Sequence, residues 1–152
     1  MTVTSIISRK FLLILGVLFL SLPSFAGGVG YINYEKVLSE YQFAKTTARE
    51  IETKAAEIEK YLENKEDEFS KMESPIQRQK LEATVRNEMR TKEMAFNEFR
   101  DKKEEAVYLK IHAVSEKLRL EKGLDAILDQ RSVFSGGIDI TDELIKKLNS
   151  GG

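Results

Sequence analysis

The stretch from Tyr34 to Met72, YEKVLSEYQFAKTTAREIETKAAEIEKYLENKEDEFSKM, decides the fold of this chain. Its apolar residues recur at alternating steps of three and four, and Lys65 is the one polar member of the series. The series consists of Tyr34, Val37, Tyr41, Ala44, Ala48, Ile51, Ala55, Ile58, Leu62, Lys65, Phe69 and Met72. A period of 3.5 residues held over about five heptads is typical of a coiled-coil seam. The pattern itself contains no break, and the sequence leaves open whether the helix is continuous from 34 to 72.

A turn signal, SPIQ at residues 74–77, follows the first helical pattern. Its proline cannot continue that helix but suits the first turn of a new one. The serine followed three residues later by glutamine matches a capping box. The sequence therefore predicts two long antiparallel helices that meet at a tip near residues 73–77.

The return helix is predicted from Ile76 to Lys122, with Gly123 ending it. Its seam is less regular than the first and contains two lysines. One register comprises Leu81, Val85, Met89, Lys92, Phe96, Phe99 and Lys103, and a shifted one comprises Val107, Ile111, Val114 and Leu118. Such a stutter locally unwinds a supercoil, and lysines in the seam indicate a stripe packed less tightly than that of a structural rod.

Short strand patterns lie on both sides of the helices. Residues 27–33 (GGVGYIN) predict one strand, and residues 124–129 (LDAILD) predict a second. A turn at Gln130-Arg131 then leads into a third strand at residues 132–135 (SVFS), and a short final helix is predicted from Thr141 to Leu148. Strands before and after the two helices can pair only if the helices are antiparallel, so that the chain returns to the end from which it started.

The predicted sheet is too small to stand alone. Three short strands and one short helix bury little apolar surface and leave sheet edges uncovered. The apolar residues assigned to this body are Val29, Tyr31, Ile32, Ala126, Leu128, Val133 and Phe134. We therefore expect several copies of the chain to join their sheets.

The first residues have the three-part pattern of a secretory signal. The basic pair Arg9-Lys10 precedes 12 uncharged apolar residues, Phe11 to Leu22, and small residues occupy positions 24 and 26. The alternative is an uncleaved membrane anchor, but a span needs about 20 apolar residues. We expect residues 1–26 to be cleaved after Ala26 and the mature chain to reach the periplasm.

Charge and cysteine content exclude several classes of protein. The whole chain has 24 Lys+Arg against 25 Asp+Glu, and removal of the signal leaves 22 against 25, a net charge of -3. That balance does not indicate a nucleic-acid binder. The chain has no cysteine, so neither disulfides nor thiolate zinc sites can stabilise it.

No motif for catalysis or cofactor binding occurs. The sequence contains no HExxH, no GxxxxGK[ST] phosphate loop and no GxGxxG. His112 is the single histidine and lies beside an apolar helical seam, where a structural role is the more common one. Carboxylates are numerous, but they fall on solvated helix faces rather than in paired acid/base positions. We predict no catalytic, cofactor-binding or metal-binding residues, and therefore no enzyme.

The order of these parts resembles the Skp family, also called OmpH. The residues that carry the resemblance are Gly28 to Leu38 (GVGYINYEKVL) and Gly123 to Asn149 (GLDAILDQRSVFSGGIDITDELIKKLN). The resemblance implies an α+β, mostly α fold, in which a long antiparallel coiled-coil hairpin, the tentacle, projects from a small β-sheet body. Residues 27–40 and 123–152 would form the body, and residues 41–122 the tentacle. It also implies a break after the first strand and short helix.

The same resemblance implies a homotrimer that joins through the body and encloses a cavity. In that cavity the family holds unfolded outer-membrane β-barrel proteins without ATP and prevents their aggregation during transit across the periplasm. Family tentacles are strongly basic. Here the first helix of the hairpin, residues 41–72, has 6 Lys+Arg against 8 Asp+Glu, and the return helix, residues 76–122, has 12 against 9. Contact with membrane or lipopolysaccharide is therefore left open.

Residues of the distal helices are the candidates for holding a client. Met94 lies off the seam formed by Met89, Phe96 and Phe99, where an apolar side chain faces water unless a partner covers it. Methionine adapts to varied partners because it is unbranched and polarisable. We predict client contacts at Met94, Phe99 and Met89. Two other functions stay possible at this point, namely a structural or adaptor coiled coil of the cell envelope and a module that binds a small lipid or envelope polymer.

Overall fold

Long helices and a small sheet make up residues 27–151, the part of the chain that this computed structural model describes. The elements are β1 (Gly28–Ile32), α1 (Tyr34–Glu40), α2 (Gln42–Ser70), α3 (Pro75–Glu121), β2 (Leu124–Asp129), a 3-10 turn (Gln130–Ser132), β3 (Ile138–Asp139) and α4 (Thr141–Asn149). The predicted mostly α fold with a three-stranded sheet is confirmed. The signal predicted for residues 1–26 lies outside the described residues. No helix within the described part is long and apolar enough to cross a membrane.

The sheet joins residues from the two ends of the chain. Its strand order is β2-β1-β3, and both neighbours run parallel to β1. Tyr31 at the centre pairs with Leu128 on one side and Asp139 on the other. Parallel neighbours need a long crossover connection, and α1, α2 and α3 supply it between β1 and β2. The expected pairing of strands across the helices is thus present.

The third strand differs from the one predicted. Residues 132–135 do not form a strand; β3 is Ile138–Asp139 and pairs with the opposite side of β1 from β2. A strand directly after a turn at Gln130-Arg131 would lie antiparallel to β2, whereas the chain here crosses from one side of β1 to the other. Gly136 and Gly137 make that crossing with φ of 81° and 90°, which favours glycine.

The first long helical pattern is broken at Tyr41. This residue is extended, with φ -74° and ψ 117°, and separates α1 from α2. Its side chain is buried in the core, and its ring lies 5.9 Å from that of Phe43. A single helix would keep α1 in line with α2, whereas the break lets α1 pack on α4 while α2 packs on α3. The continuous seam is therefore not one continuous helix, in agreement with the break that the family resemblance implies.

The turn at the distal end begins a helix as predicted, but by different contacts. Pro75 is the first residue of α3, and Ser74 precedes it with no side-chain hydrogen bond to the helix. The predicted capping box is therefore wrong. Arg78 closes the turn instead, because its Nε donates to the Met72 carbonyl oxygen at 2.7 Å. At the other end of α3 the chain turns at Gly123, with φ of 64°, as expected.

The buried core lies at one end of the two long helices. It comprises Ile32, Val37, Tyr41, Ala44, Val107, Ile111, Val114, Leu118, Leu124, Ile140, Leu144, Ile145 and Leu148. All residues from 48 to 106 are described, and none of them is buried. In that region α2 and α3 contact each other through pairs such as Glu50 with Lys103 and Tyr61 with Glu88, so residue numbers rise along one helix as they fall along the other. We call residues 48–106 the arm and the remainder of the described chain the body.

A short chain of hydrogen bonds ties the start of α1 to the start of α4. Asn33 caps α1 by accepting from the Lys36 amide at 2.9 Å, and its own amide donates to Thr141 Oγ1 at 2.9 Å. Thr141 in turn donates from its amide and its hydroxyl to Asp139 Oδ1, at 2.9 and 2.6 Å. These bonds lower the pKa of Asp139. They fix β1, β3 and both helix starts as one unit.

Gly30 lies where β1 packs closely against core side chains. A Cβ there would lie 2.8 Å from Leu124 Cδ1 and 3.4 Å from Ile140 Cδ1, whereas a Cβ at Gly28 has its nearest neighbour at 3.7 Å. We predict that Gly30→Ala lowers the free energy of unfolding by about 1–3 kcal/mol through overpacking. Gly28→Ala is the matched control and is expected to be close to wild type. Thermal unfolding of the three proteins checks this, and equal melting temperatures for both variants would contradict it.

Candidate functional site

The apolar seam of the arm is left half uncovered. Each of the two helices covers the apolar stripe of the other on one side only. Part of each seam residue, which further helices would cover in a larger bundle, therefore stays in contact with water. Leu62 is 37% exposed and Phe69 is 39% exposed. Ile51, Ile58 and the α3 seam residues Leu81, Val85, Met89 and Phe96 are all partly exposed. The arm therefore carries apolar surface along its whole length.

A groove near the distal end, which we call the distal groove, gathers part of this surface. Its volume is about 360 Å³, and its apolar walls are Leu62, Phe69, Leu81 and Val85. Charged side chains border it in ion pairs, with Arg86 to Glu82 at 2.9 Å and Lys65 to Glu68 at 2.7 Å. The floor is apolar and the rim carries both signs of charge, so the groove suits an apolar side chain without selecting for the net charge of its partner.

A second groove, the middle groove, lies closer to the body. Ala55, Ile58, Met89 and Phe96 form its apolar wall, with Glu93 and Asn97 beside them, and its volume is about 370 Å³. A third groove of about 360 Å³ lies where arm and body meet, lined by Tyr34, Leu38, Ala48, Ile51 and Val107 among others. Apolar hollows thus recur from the body to the distal end of the arm.

The lysines in the seam are accommodated by aromatic rings and carboxylates. Lys92 Nζ lies 4.5 Å from the centre of the Tyr61 ring, and the Tyr61 hydroxyl donates to Glu88. That hydrogen bond raises the pKa of Tyr61 to about 12. Lys103 pairs with Glu50 and lies 5.4 Å from the Phe99 ring centre. Three of these contacts, Lys92–Tyr61, Tyr61–Glu88 and Lys103–Glu50, join α3 to α2 at the seam. The contact of Lys103 with Phe99 lies within α3. Because ammonium groups are attracted to aromatic faces, these lysines occupy seam positions without an apolar core.

The predicted client-contact residues lie in different surroundings. Met94 is 67% exposed and lines none of the three grooves, as expected for a residue off the seam. Met89 forms part of the middle groove. Phe99 is partly exposed and covered by Lys103. Of these three residues only Met89 thus belongs to a groove. The seam residues Phe69 and Phe96, which were not predicted as client contacts, line the distal and middle grooves.

The sheet of the body has one covered and one open face. Gly30, Ile32 and Leu124 are buried on the face that packs against the helices. Of the residues assigned to the body, Val29, Tyr31, Ala126 and Leu128 keep exposed surface, and the registers Val29 to Ala126 and Tyr31 to Leu128 place them side by side. The open face is therefore apolar.

The other three residues assigned to the body lie elsewhere. Ile32 is only 7% exposed, within the core of its own chain, and offers no surface to another copy. Val133 and Phe134 lie in the loop after the 3-10 turn rather than in a strand. Phe134 is fully exposed there, whereas Val133 is partly covered.

Comparison with known proteins assigns the family. A family model described as "Outer membrane protein (OmpH-like)" matches residues 28–148, most of the chain. The chain belongs to the OmpH-like family. This confirms the resemblance noted in the sequence. No match was found among curated proteins.

A solved structure is also similar to this OmpH-like chain. It is the crystal structure of a candidate outer membrane chaperone (OmpH-like) from Caulobacter crescentus, with 12% sequence identity, a TM-score of 0.39, and coverage of 83% of this chain and 86% of that one. At this TM-score the family assignment rests on the family model alone.

Ionisable groups of this OmpH-like chain form no metal-binding cluster within the described residues. His112 is exposed, and its ring lies 5.9 Å from that of Tyr108. Most of the pKa shifts arise from surface ion pairs and hydrogen bonds, such as the lowered pKa of Glu98 beside Lys102, and burial raises the pKa of Tyr34 and of Tyr41. The candidate site of this family member is the open apolar surface of the arm.

Lys92 keeps the seam of the arm less apolar than a coiled coil requires. We predict that Lys92→Leu slows amide exchange across residues 85–99 by about threefold to tenfold, since burying part of an additional leucine contributes roughly 1 kcal/mol. Lys102→Leu is the control, because Lys102 is exposed and pairs with Glu98 away from the seam. Mass spectrometry of exchanged peptides measures the effect. The same slowing in both variants would show that helix propensity, not the seam, is responsible.

Proposed function

We propose that this chain is an ATP-independent holdase chaperone of the periplasm. In this proposal it binds unfolded outer-membrane β-barrel proteins and prevents their aggregation during transit. Membership of the OmpH-like family supports the proposal. The predicted secretory signal at residues 1–26 supports the location, since it directs a protein out of the cytoplasm.

The half-covered seam of the arm is the observation on which the proposal rests. An unfolded chain exposes many apolar side chains in no fixed arrangement, so it is best held by many weak, similar contacts. The distal and middle grooves provide such contacts at Leu62, Phe69, Ile58 and Met89. Each apolar side chain that is buried there contributes up to about 1.5–3 kcal/mol. Several grooves acting together can hold a client that no single groove would retain.

In the proposed assembly the arm is an antiparallel coiled-coil tentacle, and three copies join through their bodies. The open sheet face at Val29, Tyr31, Ala126 and Leu128 supports this, because an exposed apolar sheet face costs free energy until it is covered. Three copies would also cover the edges of a three-stranded sheet that is marginal by itself. Three arms around a common space would enclose a client on several sides.

Association through the sheet predicts that a charge on its open face separates the copies. Leu128 is 40% exposed on that face, in the edge strand β2 beside Tyr31. We expect Leu128→Glu to convert the trimer to monomers, since a buried unpaired carboxylate is strongly unfavourable. Leu109→Glu changes a leucine of comparable exposure on α3 and is expected to remain trimeric. Light scattering measures the mass, and a wild-type chain that is monomeric at micromolar concentration would exclude the trimer.

Charge is expected to add little to client binding. Residues 41–72 carry 6 Lys+Arg against 8 Asp+Glu, and residues 76–122 carry 12 against 9. Many of these charges pair with each other along the helices, as Lys54 does with Glu57 and Lys102 with Glu98. Because salt screens exposed charges over about 8–10 Å, a site that depends on apolar contacts should keep its affinity at moderate ionic strength.

The holding activity can be measured by diluting a urea-unfolded β-barrel protein into the chaperone without nucleotide. We predict that the wild type suppresses light scattering from aggregation at both low and high salt. Met94→Ser should weaken the affinity by about threefold to tenfold, through loss of a contact of roughly 1 kcal/mol. Leu120→Ser is the control, since Leu120 is 68% exposed on the same helix but outside the arm.

Three outcomes would contradict the proposal. Failure to suppress aggregation of any of several unrelated β-barrel proteins would exclude a holdase, and binding of a single partner would favour an adaptor coiled coil. Strong salt dependence together with an unchanged Met94→Ser variant would show that charge captures the client instead of the apolar surface.

A further inference from the structure

The break at Tyr41 leaves backbone groups at the end of α1 and at the start of α2 without a helical partner. The last carbonyl groups of a helix and the first amides of the next have no acceptor or donor within their own helix. At this junction they include the Glu40 carbonyl oxygen at the end of α1 and the Gln42 amide at the start of α2. Both belong to the point where the body passes into the arm.

One side chain from the far end of the chain satisfies both groups. Asn149 Oδ1 accepts from the Gln42 amide at 2.9 Å, and Asn149 Nδ2 donates to the Glu40 carbonyl oxygen at 3.1 Å. A carboxamide can do this because it carries an acceptor and a donor on one carbon. Asn149 thus caps the end of one helix and the start of the next at once.

The helix that carries Asn149 is itself fixed in the body. Leu144, Ile145 and Leu148 of α4 are buried in the core. Ion pairs tie its surface to the end of α3, with Lys122 to Glu143 at 2.6 Å and Lys147 to Glu121 at 2.7 Å. Asn149 therefore reaches the α1–α2 junction from a rigid support.

The two helices of the arm differ in how they leave the body. α3 passes without interruption from the arm into the core, where Val107, Ile111, Val114 and Leu118 are buried. α2 begins at the junction and has only Ala44 and Thr47 buried, both in its first turns. At its body end α2 is therefore held by Ala44, Thr47 and the junction at Tyr41. The rest of α2 is held by its seam contacts with α3 and by the turn at residues 71–74.

We propose that Asn149 is a latch that couples the docking of α4 to the order of α2. While α4 is seated, its carboxamide holds the start of α2 against the body. When the latch opens, the first turns of α2 fray and the seam facing α3 gains exposure. Asn149 is on the surface, so its hydrogen bonds compete with water and the latch opens at low cost. This inference does not depend on what the arm binds.

Two variants remove the latch from opposite sides. Asn149→Ala deletes the side chain that makes both bonds. Gln42→Pro deletes the amide that Asn149 accepts from, and proline is favoured at the first position of a helix. Tyr41 already has the extended conformation that a residue before proline adopts. Ser150→Ala is the control, because the Ser150 hydroxyl bonds only to the Lys147 carbonyl within its own turn.

Amide exchange of the full-length mature protein, followed by mass spectrometry, tests the latch without any client. We expect exchange in residues 43–51 to accelerate by about threefold to tenfold in Asn149→Ala, and by a smaller factor in Gln42→Pro, with β1 and β2 unchanged. The double variant should be no faster than Asn149→Ala, because the two changes remove the same contact. Unchanged exchange in residues 43–51, equal acceleration in β1 and β2, or an equal effect of Ser150→Ala would each overturn the proposal.

Discussion

The parallel pairing of β1 with β2 is the constraint on which the rest of this structure depends. Gly28 pairs with Leu124 and Ile32 with Asp129, so residues from opposite ends of the described chain must meet side by side. Everything between them is a crossover, and nearly all of it is helix. The sheet, the helix junction and the core all lie close together, so the body is small. The two long helices α2 and α3 extend well beyond it, and most of their length has no body residues to pack against. The exposed seam of the arm follows directly from this arrangement.

The arm shows how helices can stay paired without a buried core. Apolar seam residues such as Leu62 and Phe69 are only partly covered, and lysines take some of the seam positions. Those lysines are placed over rings, as Lys92 is over Tyr61, or opposite carboxylates, as Lys103 is opposite Glu50. Contacts of this kind are individually weak and easily exchanged. With such contacts the two helices stay paired, and part of their apolar surface stays available to a partner.

The sequence predicted the helix ends that depend on a single residue and its own backbone. Pro75 and Gly123 mark helix ends where they were expected, because each acts on its own backbone. The apolar pattern of the seam did not predict the break at Tyr41. The break allows α1 to pack on α4, a helix about a hundred residues later in the sequence. Val133 and Phe134 have the composition of a strand, but Ile138 pairs with β1 because the connection must cross the sheet.

The candidate site was only partly visible for a related reason. The seam residues were identified in the sequence, but a groove requires two helices in a definite register, and the sequence does not specify which residue of α2 faces which residue of α3. Leu62 of α2 and Val85 of α3 line the same groove because of the register between the two helices, which cannot be predicted from either residue alone. Met94 was identified from its position off the seam, which depends on one helix only, and its exposure agrees with that position.

The confinement of every buried residue to one end of the helices has a consequence for the evolution of the chain. No side chain between residues 48 and 106 is needed to complete the core. Removing or adding one heptad in each helix would keep the seam in register and change the reach of the arm by about 10 Å, at ~1.5 Å per residue. The length of the arm can therefore vary in whole-heptad steps while the body stays the same.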